Sequence, residues 1–113
     1  MSAGALANLL RNQGVDRAVL FTVDGFLRDD WREALYAAKK YRNIILQFCG
    51  VPLSGMRQIV AELGWDRCVF GSDGPFDGNR MTAQMISQID ELDIPPQGKE
   101  AILGRNMAGI CRT

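Results

Sequence analysis

The chain has 113 residues, enough for one ordinary domain with its own core but few for a large α/β enzyme. Apolar residues make up 47% and charged residues 23%, a globular balance that argues against disorder. Thirteen Lys and Arg face thirteen Asp and Glu, so there is no electrostatic footprint for nucleic acid or for an acidic membrane surface.

"AGALANLLRN" (3–12) predicts a short helix with Leu6, Leu9 and Leu10 on one face and Gly14 as its stop. "RAVLF" (17–21) is a continuous apolar run, as expected of a strand buried on both faces. Asp29 and Asp30 offer an N-cap to a helix over 31–42. Trp31, Leu35 and Ala38 share a face of it, and basic residues crowd its C-terminus, where they complement the helix dipole. "NIILQF" (43–48) predicts a second buried strand, closed by Gly50 and Pro52. Leu53 or Ser54 opens the next helix, with Met56, Ile59, Val60 and Leu63 inward and Gly64 as C-cap. "RCVFG" (67–71) is the third strand. After Gly74-Pro75, Asn79 caps a helix whose Met81, Met85, Ile89 and Leu92 form one stripe, a pattern of core filling. Pro95-Pro96 breaks the chain, and 97–112 predicts a short helix, an interruption at Gly104 and a last helical turn. No linker or low-complexity tract divides residues 1–113, which are expected to form a single domain. The apolar runs are far too short to span a bilayer and no basic n-region precedes the first of them, so a soluble, cytoplasmic chain is the expectation.

Short apolar strands alternating with helices imply a parallel sheet with right-handed crossovers. There is also an internal echo. "GVDRAVLFTVDGF" (14–26) and "GWDRCVFGSDGPF" (64–76) each run from a helix stop through an Asp-Arg turn into an apolar strand. Repeated βα units of about 30 residues build eight-fold barrels, although Gly-x-Asp-Arg turns also recur by simple turn chemistry.

In parallel α/β architectures functional groups gather at the carboxyl ends of the strands. Three pairs fall there: Thr22 with Asp24, Gln47 with Cys49, and Ser72 with Asp73. Asp73 follows the third apolar run directly, where a carboxylate can bind a metal or take a proton from a metal-bound water. The alternative is a turn aspartate accepting backbone N–H bonds, since Asp before Gly is a common turn signal. Cys49, Cys68 and Cys111 are odd in number and widely spaced, which argues against a disulfide framework or a cysteine-rich zinc site. The surroundings of Cys49 and Cys68 are those of small hydrophobes. The chain contains no histidine, which excludes histidine nucleophile pairs, histidine bases and histidine metal ligands within this polypeptide.

"YRNIILQFCGV", "MRQIVAELGWDRCVFGSDGPF" and "AILGRNMAGI" together resemble the C-terminal part of the amidohydrolase-related, metal-dependent hydrolases. These are TIM-barrel proteins that include related decarboxylases. The similar family pattern is a Tyr-Pro-Asn strand start, a helix, Gly-x-Asp-Arg-hydrophobic-Phe-Gly-Ser-Asp-x-Pro, and a closing helix with Gly-x-Asn. Gly71, Ser72, Asp73, Pro75 and Asn106 match, while Arg42 stands where the family has proline. The resemblance implies an α/β fold, a partial (β/α)8 barrel of about three parallel βα units. These would be strands six to eight, with the C-terminal helices after them and residues 3–12 as the preceding helix. It places Asp73 at the end of the eighth strand, where the family's aspartate contacts the catalytic metal, Zn or Mn, or its bound water and can shuttle the proton. It makes Asn106 structural, tying down the last helix.

The resemblance further implies hydrolysis of a C–N or C–O bond in a small-molecule substrate by metal-activated water, with Thr22, Cys49 and Ser72 as candidate substrate contacts. The family's His-x-His pair belongs to the first strand, and Thr22 stands near the position of a further histidine. One carboxylate is not a metal site, because catalytic zinc takes about three protein ligands and an open position. The chain alone is therefore expected neither to bind the metal nor to be active. The other readings are a decarboxylase of the same superfamily, a non-catalytic α/β scaffold self-associating through exposed sheet edges, and a receiver-like domain with Asp24 and Asp73 in a Mg²⁺ pocket. No nucleic-acid or membrane partner is expected.

Overall fold

The computed structural model describes residues 3–15, 17–20, 30–72 and 80–111. In chain order these form α1 (Ala3–Asn12), β1 (Ala18–Leu20), α2 (Asp30–Lys40), β2 (Ile44–Gln47), α3 (Leu53–Leu63), a 3₁₀ turn (Trp65–Arg67) and β3 (Cys68–Val69). Then follow α4 (Arg80–Asp90), α5 (Pro96–Glu100), a π turn (Ala101–Arg105) and α6 (Asn106–Cys111). Each apolar run read from the sequence contains a strand. Asp29 and Asn79, expected as helix caps, lie outside the described residues.

The three strands are parallel and lie in the order β1-β2-β3, with Ala18 opposite Ile44 and Leu46 opposite Cys68. Two right-handed crossovers that step in the same direction put both crossover helices on one face of the sheet. Packing agrees. Ile44, Leu46 and Phe48, alternate residues of one β2 face, join a buried cluster with Trp31, Leu35 and Ala38 of α2 and Met56 and Ile59 of α3. Met85 and Ile89 of α4, Leu92 and Ile102 complete it. Ile45 and Val69 are buried on the opposite face and stand outside that cluster.

Two helices differ from the sequence pattern, one at its end and one in its burial. The second helix stops at Lys40, before Tyr41 and Arg42. The arrest has a cause: Arg67 Nη2, at the start of β3, donates to Ala38 O (2.8 Å), Tyr41 O (2.9 Å) and Ile44 O. The two hydrogens of one guanidinium nitrogen are thereby shared among carbonyls at the end of α2, in the turn and at the start of β2, and the Tyr41 carbonyl also accepts the Ile44 N–H at 3.2 Å. Burial pushes the Arg67 pKa down, Asp66 opposes this and Arg42 adds to it, yet an arginine keeps its charge. On α1, Leu9 is 44% exposed, so it takes no part in the core expected of its apolar face. Lys39 and Glu62 add a 2.7 Å ion pair between α2 and α3, and that hydrogen bond holds the Glu62 carboxyl below its ordinary range.

The C-terminal segment corrects the expected interruption at Gly104. The helix continues through it as a π turn, in which the Asn106 backbone N–H reaches Ala101 O instead of Ile102 O. Ile102 O accepts the Phe70 N–H at 2.9 Å. The Asn106 side chain sends Nδ2 to Trp65 O (2.6 Å) and Cys68 O (2.7 Å), so the last helix is tied to the start of β3 as the resemblance implied. Gly98 lets α5 approach closely, because a Cβ there would sit 2.9 Å from Cδ2 of the Trp65 ring.

Arg67→Met should lower the unfolding free energy by about 2–3 kcal/mol, since it strips the donor from three carbonyls. The urea midpoint reads this directly, and a loss under about 0.5 kcal/mol would show that water serves the carbonyls equally well. A glycine pair gives a second check. Gly98→Ala should cost about 1–3 kcal/mol by overpacking. Gly109→Ala, whose new methyl meets nothing within 4 Å, should add about 0.5–1 kcal/mol by helix propensity.

Candidate functional site

The carboxyl ends of β2 and β3 carry the described part of the candidate site. Gln47 ends β2 opposite Val69, and the alternation along the strands puts Gln47 and Gly71 on the same face as Ile45 and Val69, away from the cluster around α2 and α3. They touch. A Cβ on Gly71 would lie 2.3 Å from Gln47 Cδ and 2.5 Å from its Cγ and Oε1. The Gln47 carboxamide therefore lies against the backbone that leaves β3, and a side chain at Gly71 would have to displace it.

Ser72 has the opposite parity and turns toward α4, where its Oγ accepts a hydrogen bond from Thr82 Oγ1 at 2.9 Å. The structure thus gives Ser72 an anchoring contact to the following helix. Cys49 is buried in the tight turn after β2, which closes with Val51 N–H on Phe48 O at 3.0 Å and takes a positive φ of 76° at Gly50. Thr22, Asp24 and Asp73 lie outside the described residues. Of the sequence candidates, Gln47 meets Gly71, Ser72 meets Thr82 of α4, and Cys49 is buried in the turn after β2.

None of the three cysteines is in a disulfide. Cys68 is fully buried, its Sγ donates to Gly64 O at 3.4 Å, and burial pushes its thiol up to about 12. Such a thiol stays protonated at neutral pH and is no nucleophile, in keeping with its reading as a small hydrophobe.

The contacts that fix this strand end are Arg67 on three carbonyls below β3 and Asn106 on two. The Asp-Arg pair was legible only as turn chemistry, because a sequence shows the donor but not the distant acceptors. Its recurrence in both echo segments was the available signal. In the other copy, Arg17 Nη2 reaches Ile110 O at 3.5 Å.

The family model described as amidohydrolase matches residues 25–108 of the chain. The chain belongs to the amidohydrolase family. Neither a curated protein nor a solved structure matches it. Amidohydrolases are typically metal-dependent, and the donor set can be tested against that requirement. Among the described residues no group of three or more His, Cys, Asp or Glu side chains could hold a metal ion, and the whole chain has no histidine. A catalytic zinc takes about three protein ligands, so the described residues of this amidohydrolase do not fit the metal. Among the described residues no helix is long and apolar enough to cross a membrane.

The Cys68 thiol yields a prediction with a definite sign. Its folded pKa lies above the ordinary 9.0, so its contribution to stability is complete below pH 9. That contribution is lost as pH rises from about 9 toward 12, where the unfolded thiol ionises first. Urea unfolding at pH 8 and pH 10.5 should show a smaller alkaline loss for Cys68→Ala than for wild type. Equal losses would contradict the buried thiol.

Proposed function

We propose that β1, β2 and β3 are the sixth, seventh and eighth strands of an amidohydrolase barrel, and that Asp73 is its metal-contacting or proton-shuttling carboxylate. The reaction would be hydrolysis of a C–N or C–O bond in a small molecule. The observation that carries this reading is the winding of the sheet: the strand order runs without reversal, with α2 and α3 packed in one cluster on the same face. A barrel is wound this way, whereas a receiver-like doubly wound sheet covers both faces with helices and reverses its order. The face bearing Ile45, Gln47, Val69 and Gly71 is then the barrel interior. Asp73 follows Gly71 by two positions in the sequence, the place at which the resemblance puts the metal-contacting carboxylate of the eighth strand.

On this reading the histidine donors of the centre come from outside these 113 residues, and the chain by itself neither holds the metal nor hydrolyses substrate. Gln47 is a polar neighbour able to hold a substrate or water beside that carboxylate, and Ser72 positions α4. A non-catalytic α/β scaffold is the second reading, and the lack of histidine favours it.

Two measurements decide. The coding sequence upstream should contain, in frame, an apolar strand ending in His-x-His; a stop codon in its place would favour the scaffold. In calorimetry with Zn²⁺ or Mn²⁺, the 113-residue chain and Asp73→Asn should give the same weak heats. Tight one-to-one binding that Asp73→Asn abolishes would overturn the need for outside donors.

A further inference from the structure

We propose that the C-terminal helix is a latch on the outer edge of β3, occupying the backbone groups through which that strand would pair with a closing strand. The seal itself is read from hydrogen bonds of this chain alone; only the identity of the excluded strand rests on the barrel reading above.

Phe48 N–H donates to Val69 O at 3.0 Å, so Val69 faces β2. Successive residues of a strand direct their backbone groups to opposite sides, so Cys68 and Phe70 face outward. A strand at a sheet edge ordinarily presents such groups for pairing with another chain. Here three of them are taken in cis. Cys68 N–H closes on Trp65 O, Cys68 O accepts Asn106 Nδ2 at 2.7 Å, and Phe70 N–H donates to Ile102 O at 2.9 Å.

The last of these bonds depends on the π turn. In a regular α-helix Ile102 O would accept the Asn106 N–H; the wider turn sends that N–H to Ala101 O and releases the carbonyl toward β3. Asn106 therefore acts twice, through its backbone in forming the π turn and through its side chain in covering Cys68 O. π turns of this kind are often found where a helix has a task beyond packing. The other edge differs, since the outer side of β1 meets no strand among the described residues. Strand addition at β3 requires the helix to let go.

The test is amide exchange followed by NMR on the full chain. In wild type the Phe70 amide should exchange within about tenfold of the Val69 amide, which bonds inside the sheet. If Phe70 exchanges at the rate of an unstructured amide while Val69 is protected, the latch is overturned without any variant having to fold. In Asn106→Ala, and in Asn106→Asp, which keeps the size but loses both donors, Phe70 protection should fall at least about tenfold relative to Val69. Sedimentation should then show self-association stronger than that of wild type. An opened Phe70 amide with unchanged sedimentation would overturn the claim that the helix guards the edge. The result does not depend on the upstream coding sequence, so the latch and the barrel reading can fail separately.

Discussion

One guanidinium nitrogen has an outsized share in this fold. Arg67 Nη2 meets carbonyls from the end of α2, the turn after it and the start of β2, and the Tyr41 carbonyl also accepts the Ile44 N–H at 3.2 Å. A half-buried cation in this position is costly by itself, and burial accordingly lowers its pKa. The cost is offset because every acceptor it meets is a carbonyl at the end of an element. From the other side Asn106 binds Trp65 O and Cys68 O. The short segment from Trp65 to Cys68 is thus held between α2 and α6, and the direction in which β3 leaves the sheet follows from that grip.

On the proposed reading, what leaves β3 is the part of the chain that matters for chemistry. Gly71 passes against the Gln47 carboxamide, and Ser72 is bonded to Thr82 of α4. The strand end held by Arg67 and Asn106 leads, on that reading, into the carboxylate assigned to the reaction, Asp73, and such a group needs a defined position. The amidohydrolase family membership gives that carboxylate a context. A chain without histidine offers a strand terminus for a metal centre rather than the centre itself.

The strands were legible because "AVL", "IILQ" and "CV" are apolar runs bounded by turn residues, and burial on both faces needs little more than that. Gly64 was legible as a helix stop because its positive φ of 95° follows from having no Cβ. The π turn was not. Gly104 read as an interruption, yet the π turn there frees the Ile102 carbonyl for Phe70 N–H, more than thirty positions earlier in the chain. The early end of α2 was likewise hidden, since its cause is Arg67 rather than any local breaker. Leu9 shows the converse: its spacing suits a helix face, but burial also needs a neighbour to cover it, and it remains exposed. The Ser-Asp-Gly-Pro segment was legible as a motif, and a motif names the residue types at a site without bringing their partners to it.

If Arg67 and Asn106 grip one segment, they must be thermodynamically coupled. A double-mutant cycle of Arg67→Met and Asn106→Ala, followed by urea unfolding, measures that coupling most directly. An interaction energy of about 1 kcal/mol or more is expected, because each substitution frees the same Trp65–Cys68 segment. Losses that add to within about 0.3 kcal/mol would show two independent contacts, and the account of a single gripped strand end would be contradicted.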